Sequence, residues 1–114
     1  MGFQSIVLFL FVLFASLVTN QALGNSSRVD INDPHVIDTG NFAVIEYNKQ
    51  NNETKLIFEK VVNGVVDTVD DETKYRLTLS ANNGSASNNY GAIVLEKPSE
   101  HLRNLTAFAL ISRA

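Results

Sequence analysis

Two short polar stretches hold the residues best placed to do chemistry or to recognise something. Asp67-Thr68-Val69-Asp70-Asp71-Glu72 gathers carboxylates into one short run, and Pro98-Ser99 lies just ahead of His101. Nucleophilic catalysis finds little to work with. The chain has no cysteine, and neither His35 nor His101 sits in a Ser or carboxylate pattern that forms a triad. Two separated histidines without thiols make a poor zinc site. Asp70-Asp71-Glu72 could offer oxygens to a hard cation, but it lacks the spacing of an EF-hand loop. The inventory points to no enzyme, no cofactor and no metal, and therefore to recognition by a surface. The plainer reading of the acidic run is a solvated hairpin tip that blunts a sheet end.

The elements that must carry these residues are legible from period and punctuation. Asp33-Pro34 supplies an N-cap followed by proline at the first helical position, where its missing N–H costs nothing. Apolar or small residues then recur at Val36, Gly40, Ala43, Val44 and Tyr47, the spacing of one helical face. Gly40 costs about 1 kcal/mol against alanine in mid-helix. That cost makes sense where a helix lies close on a sheet. The helix should stop within the polar run Asn48 to Asn52. After it the period changes to two, with a strand over Lys55 to Val62. Tyr75, Leu77 and Leu79 alternate with Arg76, Thr78 and Ser80 in a half-buried second strand. Gly91 to Lys97 and Ala107 to Ile111 make a third and a fourth. Asn82 to Asn89 reads as a turn-forming loop. One helix followed by strands joined by hairpin-length links is an α+β fold, an N-terminal helix packed on a four- to five-stranded antiparallel sheet.

Residues 1–24 stand apart from that domain. Ile6 to Val18 is almost unbroken apolar sequence, shorter than the ~20 residues a spanning helix needs. Ala22-Leu23-Gly24 follows as a small-residue site, so the stretch reads as a secretory signal cleaved after Gly24; an uncleaved anchor is the alternative. Residues 25–32 form a flexible polar arm, and residues 33–114 form the single domain. With the signal removed, no membrane contact is expected and the protein is secreted. A domain of about 90 residues without disulfides must be stabilised by one well-made core. The net charge of -3 and the lack of a basic cluster argue against nucleic acid as a partner. Sequons at Asn25, Asn52, Asn83 and Asn104 make a glycoprotein of a chain that enters the secretory route.

Several strings together resemble plant cystatins. Asp33-Pro34-His35-Val36, Gly40-Asn41-Phe42-Ala43-Val44 and Glu46-Tyr47-Asn48-Lys49 are similar to the helix of that family. Lys55 to Val62 is similar to its second strand, and Lys74 to Leu79 to its third. Val94-Leu95-Glu96-Lys97-Pro98 with Leu102, Leu105 and Phe108 is similar to its tail. The resemblance implies the cystatin fold and a monomeric, reversible inhibitor of papain-like cysteine proteases, as used in plant defence. It also implies a wedge of three parts, namely a glycine on the arm, a first loop reading Gln-x-Val-x-Gly and a second loop with Pro-Trp.

By that resemblance Gly24 is the arm glycine, and Asp67, Thr68, Val69, Asp70 and Asp71 belong to the first loop. Pro98 and Ser99 form the second. The first loop has one residue more than the family spacing. Counting forward from Val62 puts Asp67, Val69 and Asp71 at the Gln, Val and Gly places. Counting back from Tyr75 puts Thr68, Asp70 and Glu72 there. In either register an acid replaces the glycine, and Ser99 replaces the tryptophan. Loss of a buried aromatic anchor commonly costs about 2 kcal/mol or more at an interface. A second expectation is therefore a cystatin-fold interaction protein that has lost or narrowed inhibition.

Overall fold

The computed structural model describes residues 26–51 and 55–113. The stretch expected to be a secretory signal, with Gly24, lies outside the described residues, as do Asn25 and Asn52. The chain forms β1 (Ser27–Arg28), α1 (Pro34–Gln50), β2 (Ile57–Val69), β3 (Glu72–Asn82), β4 (Ser87–Lys97), a 3-10 turn (Pro98–Glu100) and β5 (Leu102–Arg113). The strands make one antiparallel sheet in the order β1-β2-β3-β4-β5. This is the helix-on-sheet α+β architecture expected from the pattern.

Helix α1 starts where its capping residues put it. Asp33 is extended (φ -66, ψ 124) and its Oδ1 accepts from the His35 N–H at 3.0 Å, with Pro34 in the first turn. At the other end the Asn48 side chain pairs with the backbone of Leu56, donating to its carbonyl and accepting from its N–H at 2.9 Å each. One side chain thus fastens the last helical turn to the entrance of β2. The buried face is Val36, Thr39, Gly40, Ala43 and Val44. Thr39 is the member that polarity hid; its hydroxyl donates to the His35 carbonyl at 2.8 Å. Gly40 lies on the sheet, where a Cβ would stand 3.0 Å from Phe58 and 3.1 Å from both Leu79 and Val61. Beneath it Leu77, Leu79 and Val94 are fully buried. Phe108 closes the far side, stacked on Tyr47 at 4.4 Å and on Tyr90 at 5.4 Å.

Several element limits differ from the sequence reading. The arm carries β1, with Ser27 opposite Val66 and Arg28 opposite Val65, and the Val29 N–H donates to the Gly64 carbonyl at 3.0 Å. Gly64 makes room for this docking, because a Cβ there would stand 2.5 Å from Leu77 Cδ2 and 3.2 Å from Val29. Gly64→Ala is therefore expected to destabilise the protein by about 1–3 kcal/mol through overpacking, read as a lower midpoint in urea. Strand β4 begins at Ser87, so the loop before it is shorter than Asn82 to Asn89. Asn83 Oδ1 closes that loop by accepting from the Ser85 and Ala86 N–H groups, with Gly84 at φ 99. Ser87 stays in the strand because its hydroxyl, like that of Ser80, donates to the Glu59 carboxylate. Glu59 sits at a register shift in β2, and the two hydroxyls hold its carboxyl below the usual range.

Candidate functional site

The first loop is tighter than the sequence suggests. Val69 and Glu72 are the last paired residues of β2 and β3, so Asp70 and Asp71 alone make the turn. Asp70 has φ 55, a conformation in which a short polar side chain is tolerated. Neither register of the family motif put glycine at that position. Thr68, Val69, Asp70 and Asp71 are exposed, and Val69 is 65% exposed at the hairpin tip.

Asp67 belongs to the body of β2, not to the turn. Its Oδ2 accepts from Arg76 Nη2 at 2.7 Å, with the two side chains 12% and 7% exposed respectively. Its Oδ1 accepts from the hydroxyl of Ser26 on the arm. Both oxygens of the Asp67 carboxylate are thus engaged within the protein. Arg76 is the functional neighbour that sequence reasoning missed. Alternation marks it as facing away from the helix, but nothing local pairs it with Asp67.

The second loop, between β4 and β5, is the 3-10 turn Pro98–Glu100 followed by His101 at φ 52. Its residues are exposed. The hydroxyl of Ser99 donates to the carboxylate of Asp71, which joins the two loops. The structure therefore brings together Val69, Asp70, Asp71, Pro98 and Ser99 at one end of the sheet. The arm approaches the same end through Ser26.

Below the second loop lies a charged network. Glu96 accepts from Arg103 Nε at 2.8 Å and pairs with His35 Nε2 at 3.0 Å, while Arg103 Nη1 donates to Asp38 at 3.0 Å. It ties the first turns of α1 to β4 and β5. Burial works against the Arg103 charge, but Glu96 and Asp38 outweigh it and raise its pKa. Burial, helped by the charge of Glu96, also pushes the Tyr75 phenol up. A recess of about 360 Å³ opens beside this network between His35, Pro98, His101 and Leu102. His35 is thus a partner of Glu96, and its ring lies 5.9 Å from that of Tyr75. Among the described residues no group of three or more His, Asp or Glu side chains could hold a metal ion. The arrangement offers an edge built from two turns, Asp70-Asp71 and Pro98–Glu100, joined through Ser99 and Asp71.

Comparison with known proteins agrees with that geometry. Residues 29–111 match the model of a family described as aspartic acid proteinase inhibitor. Cysteine proteinase inhibitor 5 of Arabidopsis thaliana is 45% identical over 105 residues, which cover 91% of this chain and 84% of that protein. Cysteine proteinase inhibitor 1 of Actinidia chinensis var. chinensis is 43% identical over 79 residues, covering 69% of this chain and 66% of its own length. Among solved structures, the salivary cystatin of the soft tick Ornithodoros moubata has the same fold, with a TM-score of 0.66 at 14% identity, covering 78% of this chain and 98% of that one. The solution structure of the squash aspartic acid proteinase inhibitor aligns with a TM-score of 0.53 at 30% identity, over 81% of this chain and 97% of its own.

Proposed function

The chain belongs to the plant cystatin-like family of proteinase inhibitors, and from that we propose that it inhibits papain-like cysteine proteases as a reversible wedge. It is an inhibitor and not an enzyme. One observation supports the wedge above others: the hairpin tip at Val69, the Pro98-Ser99 loop and the arm meet at one end of the sheet. The turns Asp70-Asp71 and Pro98–Glu100 can enter a cleft without offering a scissile peptide in an extended conformation. Val69 supplies the apolar contact at the tip and Pro98 a stiff shoulder beside it. The relatives named as cysteine proteinase inhibitors favour that class of target.

The apolar N-terminal stretch supports secretion, where such an inhibitor would act as a monomer in plant defence. Exposed positions at Asn83 and Asn104 support N-glycans there. A second reading has its own observation behind it. The matched family is described by aspartic proteinase inhibition, and the squash protein of that description shares the fold. An aspartic protease is therefore the alternative target.

Titration of papain and of pepsin in parallel, with protein verified as folded, tests both. Stoichiometric loss of papain activity with pepsin untouched supports the cysteine protease reading. The reverse result replaces it with the aspartic one. Folded protein that leaves both enzymes active at tens of micromolar overturns both and leaves an interaction protein with a cystatin fold.

A further inference from the structure

The acidic run makes two contacts that the reading of the edge as a protease contact does not itself require. The β2–β3 hairpin is the centre of that edge, paired without a break from Asn63 and Thr78 up to Val69 and Glu72. The segments on either side are weakly held. The arm strand β1 spans two exposed residues, and the turn Pro98–Glu100 buries none of its residues. That turn is closed by its own bond from the His101 N–H to the Pro98 carbonyl at 3.1 Å. Each flanking segment nevertheless sends one serine hydroxyl to an aspartate of the hairpin. Ser26 reaches Asp67 across 41 residues of sequence, and Ser99 reaches Asp71 across 28.

We propose that Asp67 and Asp71 are positioning residues that capture Ser26 and Ser99, and so set the spacing of arm, hairpin tip and second loop before a protease arrives. The proposal rests on that edge being the inhibitory one. The chemistry suits the task. A hydroxyl bonded to a carboxylate is charge-assisted, and such bonds are stronger than neutral ones. Asp67 is aimed, because Arg76 holds its other oxygen at 2.7 Å in a largely buried pair. Loops already set at the bound spacing lose less conformational freedom on binding. The carboxylates act through the serines, and neither has to enter the cleft.

The test compares wild type with Ser26→Ala, Ser99→Ala, Asp71→Ala, the Ser99→Ala/Asp71→Ala pair and Ser99→Thr. Three readouts are taken: the inhibition constant, Tm, and backbone 15N relaxation of the free protein at residues 26–29 and 98–101. Ser26→Ala and Ser99→Ala should each weaken inhibition about three- to tenfold, with Tm lowered by no more than about 8 °C. Mobility should rise only in the released segment. The paired variant should be no worse than Asp71→Ala or Ser99→Ala alone, and Ser99→Thr should stay near wild type. Losses that multiply in the pair would mean two independent protease contacts and overturn the proposal. Unchanged relaxation in Ser99→Ala would overturn it too. Wild type that inhibits no protease defeats the functional reading instead, and relaxation in the free protein then decides the positioning alone.

Discussion

Val69→Asp is expected to weaken protease inhibition by at least about thirtyfold while leaving the fold intact. The two halves of that expectation come from different properties of one side chain. Val69 is 65% exposed at the last pair of the hairpin, so the core loses nothing when it changes. Strand preference at such a position shifts stability by less than about 1 kcal/mol. In a closed cleft the balance differs. An apolar contact of about 2 kcal/mol is lost, and a carboxylate must shed water without a partner. Inhibition constants and thermal melts on one sample separate these effects. A variant that melts like wild type and inhibits as well would remove Val69 from the contact.

Asp67→Ala should be the most damaging single change near the edge, at about 3–5 kcal/mol. Arg76 is 7% exposed and its Nε already has no hydrogen-bond partner among the described groups. Removing Asp67 strips the bond made by Nη2 and leaves a buried cation uncompensated. For a domain of this size the melting temperature should fall on the order of 20 °C. The pair is costly to break but not costly to replace. A double change, Asp67→Leu with Arg76→Met, should recover most of the loss, because apolar substitutes carry no desolvation penalty. If the double variant melts as low as Asp67→Ala, the packing of the Arg76 stem matters more than its charge.

The contrast between legible and illegible parts follows sequence separation. Helix α1 was readable because its determinants are local: Asp33 and Pro34 at the start, an apolar face at helical spacing, and polar residues at the end. The middle of β3 was readable from the alternation at Leu77 and Leu79. Strand β1 was not, since Ser27-Arg28 has no strand character of its own and is ordered by the Val65-Val66 edge of β2. Asp67 read as loop because it is polar, yet it sits in a strand because Arg76 neutralises it. Polarity marks exposure only while no partner is near. The bond from Ser99 to Asp71 had no signal at all, since chain folding alone brings the two loops together.

Each strand lies beside its predecessor in the chain, so the sheet contains no crossover. A growing polypeptide can therefore close it one hairpin at a time, in the order of synthesis, without threading any segment past another. Helix α1 emerges before strands β2 to β5, which make up most of the sheet on which it lies. Gly40 meets Phe58 and Val61 of β2 and Leu79 of β3, so the helix has a seat only once that first hairpin has closed. Docking and hairpin closure are then expected to form one nucleus, with β4 and β5 added afterwards. Kinetic analysis should accordingly give high φ-values at Val61 and Leu79 and low ones at Phe108 in β5, and a high value at Phe108 would reverse the order.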